Sequence, residues 1–247
     1  MKLTTKILVA FLVLLTTGLF ASNFMLKKVY ERTDKSDIYW TYGKILEQPF
    51  HHINIEGGNI SNIAYEQSKN SSVRVLKEWY GYETGAVKAF VKNDTLFVNF
   101  PASYKHTYEK DYFKWNTFVR ICSPEIISVT GHNTKFGMFK MKQGSLSVNL
   151  SGKSQFELES IVPSLDSLHI IQRDSSEVEF EMDPNLKGSR SFHVNFLQAD
   201  IRDHSLLDVG YAQVDSLRLS LEDSCGVLLS GGTMRKNRGY NFLQPTR

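Results

Sequence analysis

Cysteine is nearly absent from this chain, with two in 247 residues, Cys122 and Cys225. None precedes position 122, so lipid attachment to a cysteine close to the N-terminus is excluded. Two thiols also cannot build a disulfide-dense scaffold or a four-cysteine metal site. An excess of one charge is missing as well: 29 Lys and Arg stand against 26 Asp and Glu. Without residues 1–26, which carry two lysines and no acids, the formal charge falls from +3 to +1. A nearly neutral domain lacks the electrostatic footprint of a nucleic-acid binder, and no nucleic-acid partner is expected. Proline is scarce, at six residues, and 41% of the chain is hydrophobic, which excludes a disordered protein and permits a substantial core. Ser, His and Asp occur without a nucleophile elbow or a spacing that couples them, so no catalytic residue is assigned.

The first conspicuous presence is a run without charge. From Ile7 to Leu26 twelve of the residues are Ile, Leu, Val or Phe, over the ~20 positions that cross a bilayer core. Residues 1–6 form a short basic leader and 7–26 a transmembrane anchor. The competing reading is a cleaved signal peptide ending at Ala21. Cleavage favours small residues at the first and third positions before the cut, and here Leu19 and Phe20 precede Ala21, so a retained anchor is preferred. Lys27, Lys28, Arg32 and Lys35 after the span outnumber Lys2 and Lys6 before it. That count favours a cytoplasmic domain. The export-like leader and the strand-built repeats favour the opposite, and a single-pass bacterial membrane protein with its domain in the periplasm or outside the cell is the expectation.

Residues 27–48 read as a juxtamembrane stalk bearing Tyr30, Tyr39, Trp40 and Tyr42, and the globular part begins near Pro49. Alternating segments follow, among them Phe50 to Ile55, Val73 to Leu76, and Leu96 to Phe100 after the turn at Asn93-Asp94. Pro101 to Thr117 interrupts the alternation and reads as a long loop or lid. Helix beyond the anchor should be small, with Leu76 to Gly81 the best candidate.

A pattern then recurs: apolar residues at offsets 0 and 2, a small residue at 8, apolar residues at 10 and 12. Copies begin at Leu146, Leu168 and Leu217, and Phe192, Val194 and Phe196 begin a fourth, giving intervals of 22, 24 and 25 residues. Pro163 and Pro184 each precede a copy, at a corner where a missing backbone donor is tolerated. Such intervals suit coils of two or three short strands that bury their apolar faces only by stacking. The expected fold is all-β, a right-handed parallel β-helix (a β-solenoid) over 49–233, followed by a basic tail over 234–247.

In layout, residues 50–232 resemble the auto-transporter adhesin head domain family of bacterial envelope proteins, also called the GIN domain. The resemblance rests on Phe50 with Ile53-Asn54-Ile55, the turn Gly57-Gly58-Asn59-Ile60, Ser72-Val73-Arg74-Val75, and Asn93-Asp94-Thr95-Leu96 leading to Val98. Of the later turns, Ser151-Gly152-Lys153-Ser154-Gln155 keeps a family-type Ser-Gly pair, whereas Arg173-Asp174-Ser175-Ser176-Glu177 and Glu222-Asp223-Ser224-Cys225-Gly226 do not. The resemblance implies a parallel β-helix outside the cytoplasm and names no ligand.

Stacking the copies aligns Gln155, Glu177, Asp200 and Gly226, in which a calcium-binding ladder would need more acids than the two present. A second ladder of Ser147, His169, His193 and Arg218 offers two histidines without a third ligand and with a repelling arginine. Both read as solvated faces, and no metal or cofactor is expected. Cys225 occupies the small-residue slot held elsewhere by Ser154 and Ser176, which explains it without a disulfide to Cys122. All three Trp and nine of the eleven Tyr lie before residue 116. Trp79, Tyr80, Tyr82, Tyr104, Tyr108, Tyr112, Phe113 and Trp115 either cap an open end of the core or form a binding platform for a protein or glycan. The resulting expectation is a non-enzymatic, membrane-tethered adhesin-like or protein-interaction protein. A ligand-sensing module signalling to a membrane partner and a polysaccharide-active enzyme are the alternatives.

Overall fold

The computed structural model describes residues 3–32, 34, 36–59, 61–79, 82, 84–101, 117–139, 141–159, 165–181, 192–210, 212–230, 233 and 241–243. The chain divides into two units, 1–42 and 43–247.

In the first unit, α1 (Leu3–Arg32) is a single helix in which every residue is exposed. At a rise of 1.5 Å per residue its 30 residues span ~45 Å, longer than a bilayer core. It continues past the uncharged run because Lys27, Lys28 and Glu31 favour helix, and Lys27 reaches Glu31 one turn on, at 3.8 Å. Residues 27–32 of the expected stalk are therefore helical. Thr17 Oγ1 donates to the Val13 carbonyl at 2.7 Å, and Thr16 Oγ1 bonds the Leu12 and Val13 carbonyls at 3.0 Å. Both hydroxyls are thereby satisfied within the helix.

The second unit is built from two nine-stranded sheets. One contains β1 (Tyr42–Leu46), β3 (Asn62–Gln67), β4 (Ser72–Leu76), β7 (Thr117–Ser123), β9 (Lys135–Phe139), β11 (Gln155–Glu159), β13 (Glu177–Glu181), β15 (Leu206–Asp208) and β17 (Gly226–Leu228). The other contains β2 (His52–Glu56), β5 (Lys88–Lys92), β6 (Thr95–Asn99), β8 (Ser128–His132), β10 (Ser145–Ser151), β12 (Leu165–Gln172), β14 (His193–Ile201), β16 (Gln213–Leu221) and β18 (Asn241–Leu243). Their orders are β1-β4-β7-β3-β9-β11-β13-β15-β17 and β18-β16-β14-β12-β10-β8-β2-β6-β5.

The right-handed parallel β-helix expected from the repeats is therefore corrected to two mixed sheets. β4 runs antiparallel to β7, and β5 antiparallel to β6, while the pairs from β8 onward are parallel. The physical reason lies in residues 42–99, which the repeat does not reach. Asn93 and Asp94 are both left-handed (φ 49° and 61°), the conformation of a two-residue turn, and there β5 pairs antiparallel with β6.

Alternation builds the shared core. In β10 Leu146, Val148 and Leu150 are buried and the residues between them are not. Leu146 pairs with Leu168, Leu168 with Leu197, and Leu197 with Leu217. The fourth copy consequently starts at Leu197, not Phe192. Ala199, Ser205, Leu207 and Val209 then complete the pattern without a missing residue.

On the other sheet Phe136, Phe156, Val178 and Leu207 form a buried row, with the first two rings stacked at 5.8 Å. The small-residue slot is a column of buried hydroxyls, Thr134, Ser154, Ser176 and Ser205. Ser154 Oγ donates to the Ser151 carbonyl at 2.6 Å and accepts from the Thr134 amide at 3.2 Å, and the Ser176 amide donates to Ser205 Oγ at 3.2 Å. Where the chain passes from one sheet to the other, the Ser154 and Ser205 hydroxyls satisfy backbone groups that no ladder reaches. Cys225 follows in the column and, like Cys122, carries a free thiol.

Candidate functional site

Of the predicted aromatic platform, Trp79 and Tyr82 lie among the described residues. Trp79 is 4% exposed and its ring packs on Phe118 at 5.2 Å and Phe100 at 6.4 Å, so it belongs to the core. Tyr82 is partly buried against the same core, its ring lying over Gly43 where a Cβ would collide with it. Tyr80, Tyr104, Tyr108, Tyr112, Phe113 and Trp115 lie outside the described residues, as does nearly all of the insertion over 101–117.

The outward rows of the two sheets differ in chemistry. On the first, Glu157 pairs with Glu179 and Glu179 with Asp208, beside Gln155 paired with Glu177. Lys135 Nζ reaches Glu157 at 3.1 Å, and Gln155 Nε2 donates to Glu177 at 3.3 Å. Partial burial, then repulsion from Asp208, Glu157 and Glu177, raises the Glu179 carboxyl above the usual 4.5. The expected ladder of Gln155, Glu177, Asp200 and Gly226 is corrected here. Leu206 takes the place of Asp200, which lies on the other sheet between Ile171 and Ser220.

On the second sheet an outward row runs Lys92, Thr95, His52, Ser128, Ser147, His169, Gln198 and Arg218. His52 Nδ1 lies 2.7 Å from Ser128 Oγ. The expected neighbour of His169, His193, is displaced by Gln198. His193 instead pairs with Gln213, and its Nε2 lies 2.9 Å from Asp215 Oδ1. Both corrections follow from starting the fourth copy five residues too early. Among the described residues no group of three or more His, Cys, Asp or Glu is arranged to hold a metal.

Sequence reasoning missed the edge of the second sheet. In β5, Lys88, Phe90 and Lys92 are exposed while Ala89 and Val91 turn inward. Phe90, 45% exposed, stacks on Phe97 of β6 at 5.1 Å with the rings 12° from parallel. The signal in the sequence is a lysine at each end of the apolar triplet Ala89-Phe90-Val91.

Two buried groups complete the electrostatics. Burial pushes the Tyr65 hydroxyl up to about 12 while it donates to the Ser123 carbonyl at 3.1 Å. Burial, then the Glu66 carboxylate, raises the Cys122 thiol. Neither group is poised to react near neutrality.

No protein-family model matches the chain and no curated protein matches it. Among solved structures it is similar to a "putative adhesin" from Bacteroides fragilis NCTC 9343, with 14% identity over 76% of this chain and 91% of that one, at a TM-score of 0.46. It is also similar to a "putative adhesin" from Parabacteroides merdae ATCC 43184, with 15% identity over 83% of this chain and 91% of that one, at 0.38. A "putative lipid binding protein" from Parabacteroides distasonis ATCC 8503 aligns at 12% identity over 76% of this chain and 92% of that one, at 0.31.

Proposed function

We propose that the chain is a membrane-tethered, non-enzymatic envelope protein whose strand-built unit is an adhesin-like or protein-interaction scaffold outside the cytoplasm. The observation that carries the reading is α1. It is an uninterrupted helix, exposed throughout, with no charge from Ile7 to Leu26 and with the Thr16 and Thr17 hydroxyls bonded internally. Such a helix reaches a favourable environment in hydrocarbon, where it covers its apolar side chains and leaves no backbone donor unpaired. A signal sequence has the same composition, and the flanks of Ala21 favour retention. The unit over 43–247 offers long outward rows of polar side chains held in register, a surface suited to contact rather than to turnover. Partner contact is assigned to the aromatic stretch Tyr80, Tyr82, Tyr104, Tyr108, Tyr112, Phe113 and Trp115, with Trp79 left to the core.

Fractionation and reporter fusions test the proposal. The full chain should stay with membranes through alkaline carbonate extraction, and a C-terminal phosphatase fusion should be active where a cytoplasmic fluorophore fusion is dark. Release into the carbonate supernatant would overturn the anchor. A bright fluorophore with silent phosphatase would overturn the orientation, and glycan turnover abolished by replacing one carboxylate would overturn the non-enzymatic reading.

A further inference from the structure

We propose that the outer face of the β5–β6 edge is a second membrane contact, which docks onto an anionic lipid surface. The proposal rests on the tethered reading above. Lys88, Phe90 and Lys92 project to one side of β5, and the two lysines, four residues apart on an extended strand, stand about 13 Å from each other with the phenyl ring between them. Neither lysine makes an ion pair among the described residues. Among the described residues, the pairing register places Glu56 two strands away in the row Lys88, Asn99, Glu56, and the adjoining turn holds Asp94, which His51 Nδ1 engages at 2.9 Å. The edge is thus locally positive around an exposed aromatic ring. An apolar wedge between cations is the arrangement that partitions into a headgroup layer, the ring entering the acyl boundary and the ammonium groups meeting anionic lipid.

Two further observations select this occupant. Pairing of β5 with the β5 of a second copy, antiparallel and centred on Phe90, would set Lys88 against Lys92, a like-charge contact that opposes it. The tethered reading also makes the contact intramolecular. β5 and β1 end the two sheets on the side away from the parallel strands, and ten residues join Arg32 of α1 to Gly43, where the second unit begins. Ten residues extend to at most about 35 Å. A weak surface contact held on so short a tether is an intramolecular event and needs little affinity of its own.

The test uses the full chain in lipid nanodiscs of phosphatidylcholine alone or with about 30% phosphatidylglycerol, with lysines acetylated by a neutral reagent and read by mass spectrometry. Lys88 and Lys92 should react about threefold more slowly in the anionic discs, and about 0.5 M salt should remove the difference by screening. Lys153, exposed in the turn before β11, should react alike in both. Phe90→Ser should reduce the protection in anionic discs. Equal reactivity of Lys88 and Lys92 in the two discs, or slowing unaffected by salt, overturns the proposal with the wild-type chain alone. Failure of the tether shows itself separately, because a chain without a membrane anchor does not co-purify with the discs at all.

Discussion

Replacing Leu168 by Ala tests the register on which both outer faces depend. Leu168 is fully buried, with Leu146 on one side and Leu197 on the other, both nearly or fully buried themselves. Truncation to Ala removes three carbons from a packed row and leaves a cavity whose neighbours are fixed by backbone pairing, at a cost of about 2–5 kcal/mol. For a unit of this size each kcal/mol moves Tm by about 2–4 °C, so Leu168→Ala should lower Tm by roughly 4–20 °C. The sharper test is a double-mutant cycle. Leu197→Ala combined with Leu168→Ala should show a coupling of about 0.5–3 kcal/mol, because the two side chains share one cavity. Phe192→Ala combined with Leu168→Ala should be additive within about 0.5 kcal/mol. Val194 pairs with Leu165, so Phe192 lies some five positions back along the strand from Leu168, roughly 16 Å away. Urea unfolding of the full chain in detergent micelles, followed by tryptophan fluorescence with Trp79 as the buried reporter, supplies the free energies. A coupling larger for the 168/192 pair than for the 168/197 pair would refute the register.

Further outcomes follow from the same geometry. Glu179 has a raised folded-state pKa, so its contribution is favourable below about 4.5 and is lost as pH rises through the folded value. Glu179→Gln should therefore gain about 0.5 kcal/mol at pH 7, roughly 1–2 °C in Tm, with the gain gone near pH 4, and a fall in Tm at pH 7 would contradict it. Ser154→Ala strips the acceptor from the Thr134 amide and the donor from the Ser151 carbonyl in a buried corner, and urea titration should find about 1–3 kcal/mol lost. Iodoacetamide at pH 8 should label the partly exposed Cys225 in the native chain and reach Cys122, buried and with its thiol pKa raised, only after denaturation, as mass spectrometry of the two peptides would record.

The parts of this structure legible in the sequence are those where one local rule acts alone. The uncharged run from Ile7 to Leu26 predicted α1, and the alternation of Leu146, Val148 and Leu150 predicted β10, because hydrophobic periodicity reports burial directly. What failed was the assumption of an even interval. Phe192, Val194 and Phe196 alternate well and fall 24 residues after Leu168, yet the pattern with its serine intact starts at Leu197. β14 runs for nine residues from His193, so alternation begins ahead of the point where the copy aligns, and a search by apolar residues finds the strand's start instead of its register. Ser205, buried and bonded to Ser176, marked the true alignment. The hairpin of β5 and β6 was hidden for another reason. A turn at Asn93-Asp94 was evident, but whether a turn returns a strand antiparallel or sends it to the other sheet is decided by what the flanking strands can bury. Asp174-Ser175 and Asp203-His204 are equally left-handed pairs and lead from one sheet to the other.

This dependence on corners explains why the outer faces carry such different chemistry. Side chains in a row are adjacent in space because backbone pairing aligns them, although 20 to 29 residues separate neighbours among the repeats. The alignment is fixed at the turns by buried hydroxyls that accept or donate to backbone groups of neighbouring turns. Once Ser154, Ser176 and Ser205 are set, Glu157, Glu179 and Asp208 are brought together, and so are Ser147, His169, Gln198 and Arg218 on the opposite sheet. A one-residue slip of either row would turn its buried side chains outward, so the apolar face holds the same register as the corner hydroxyls.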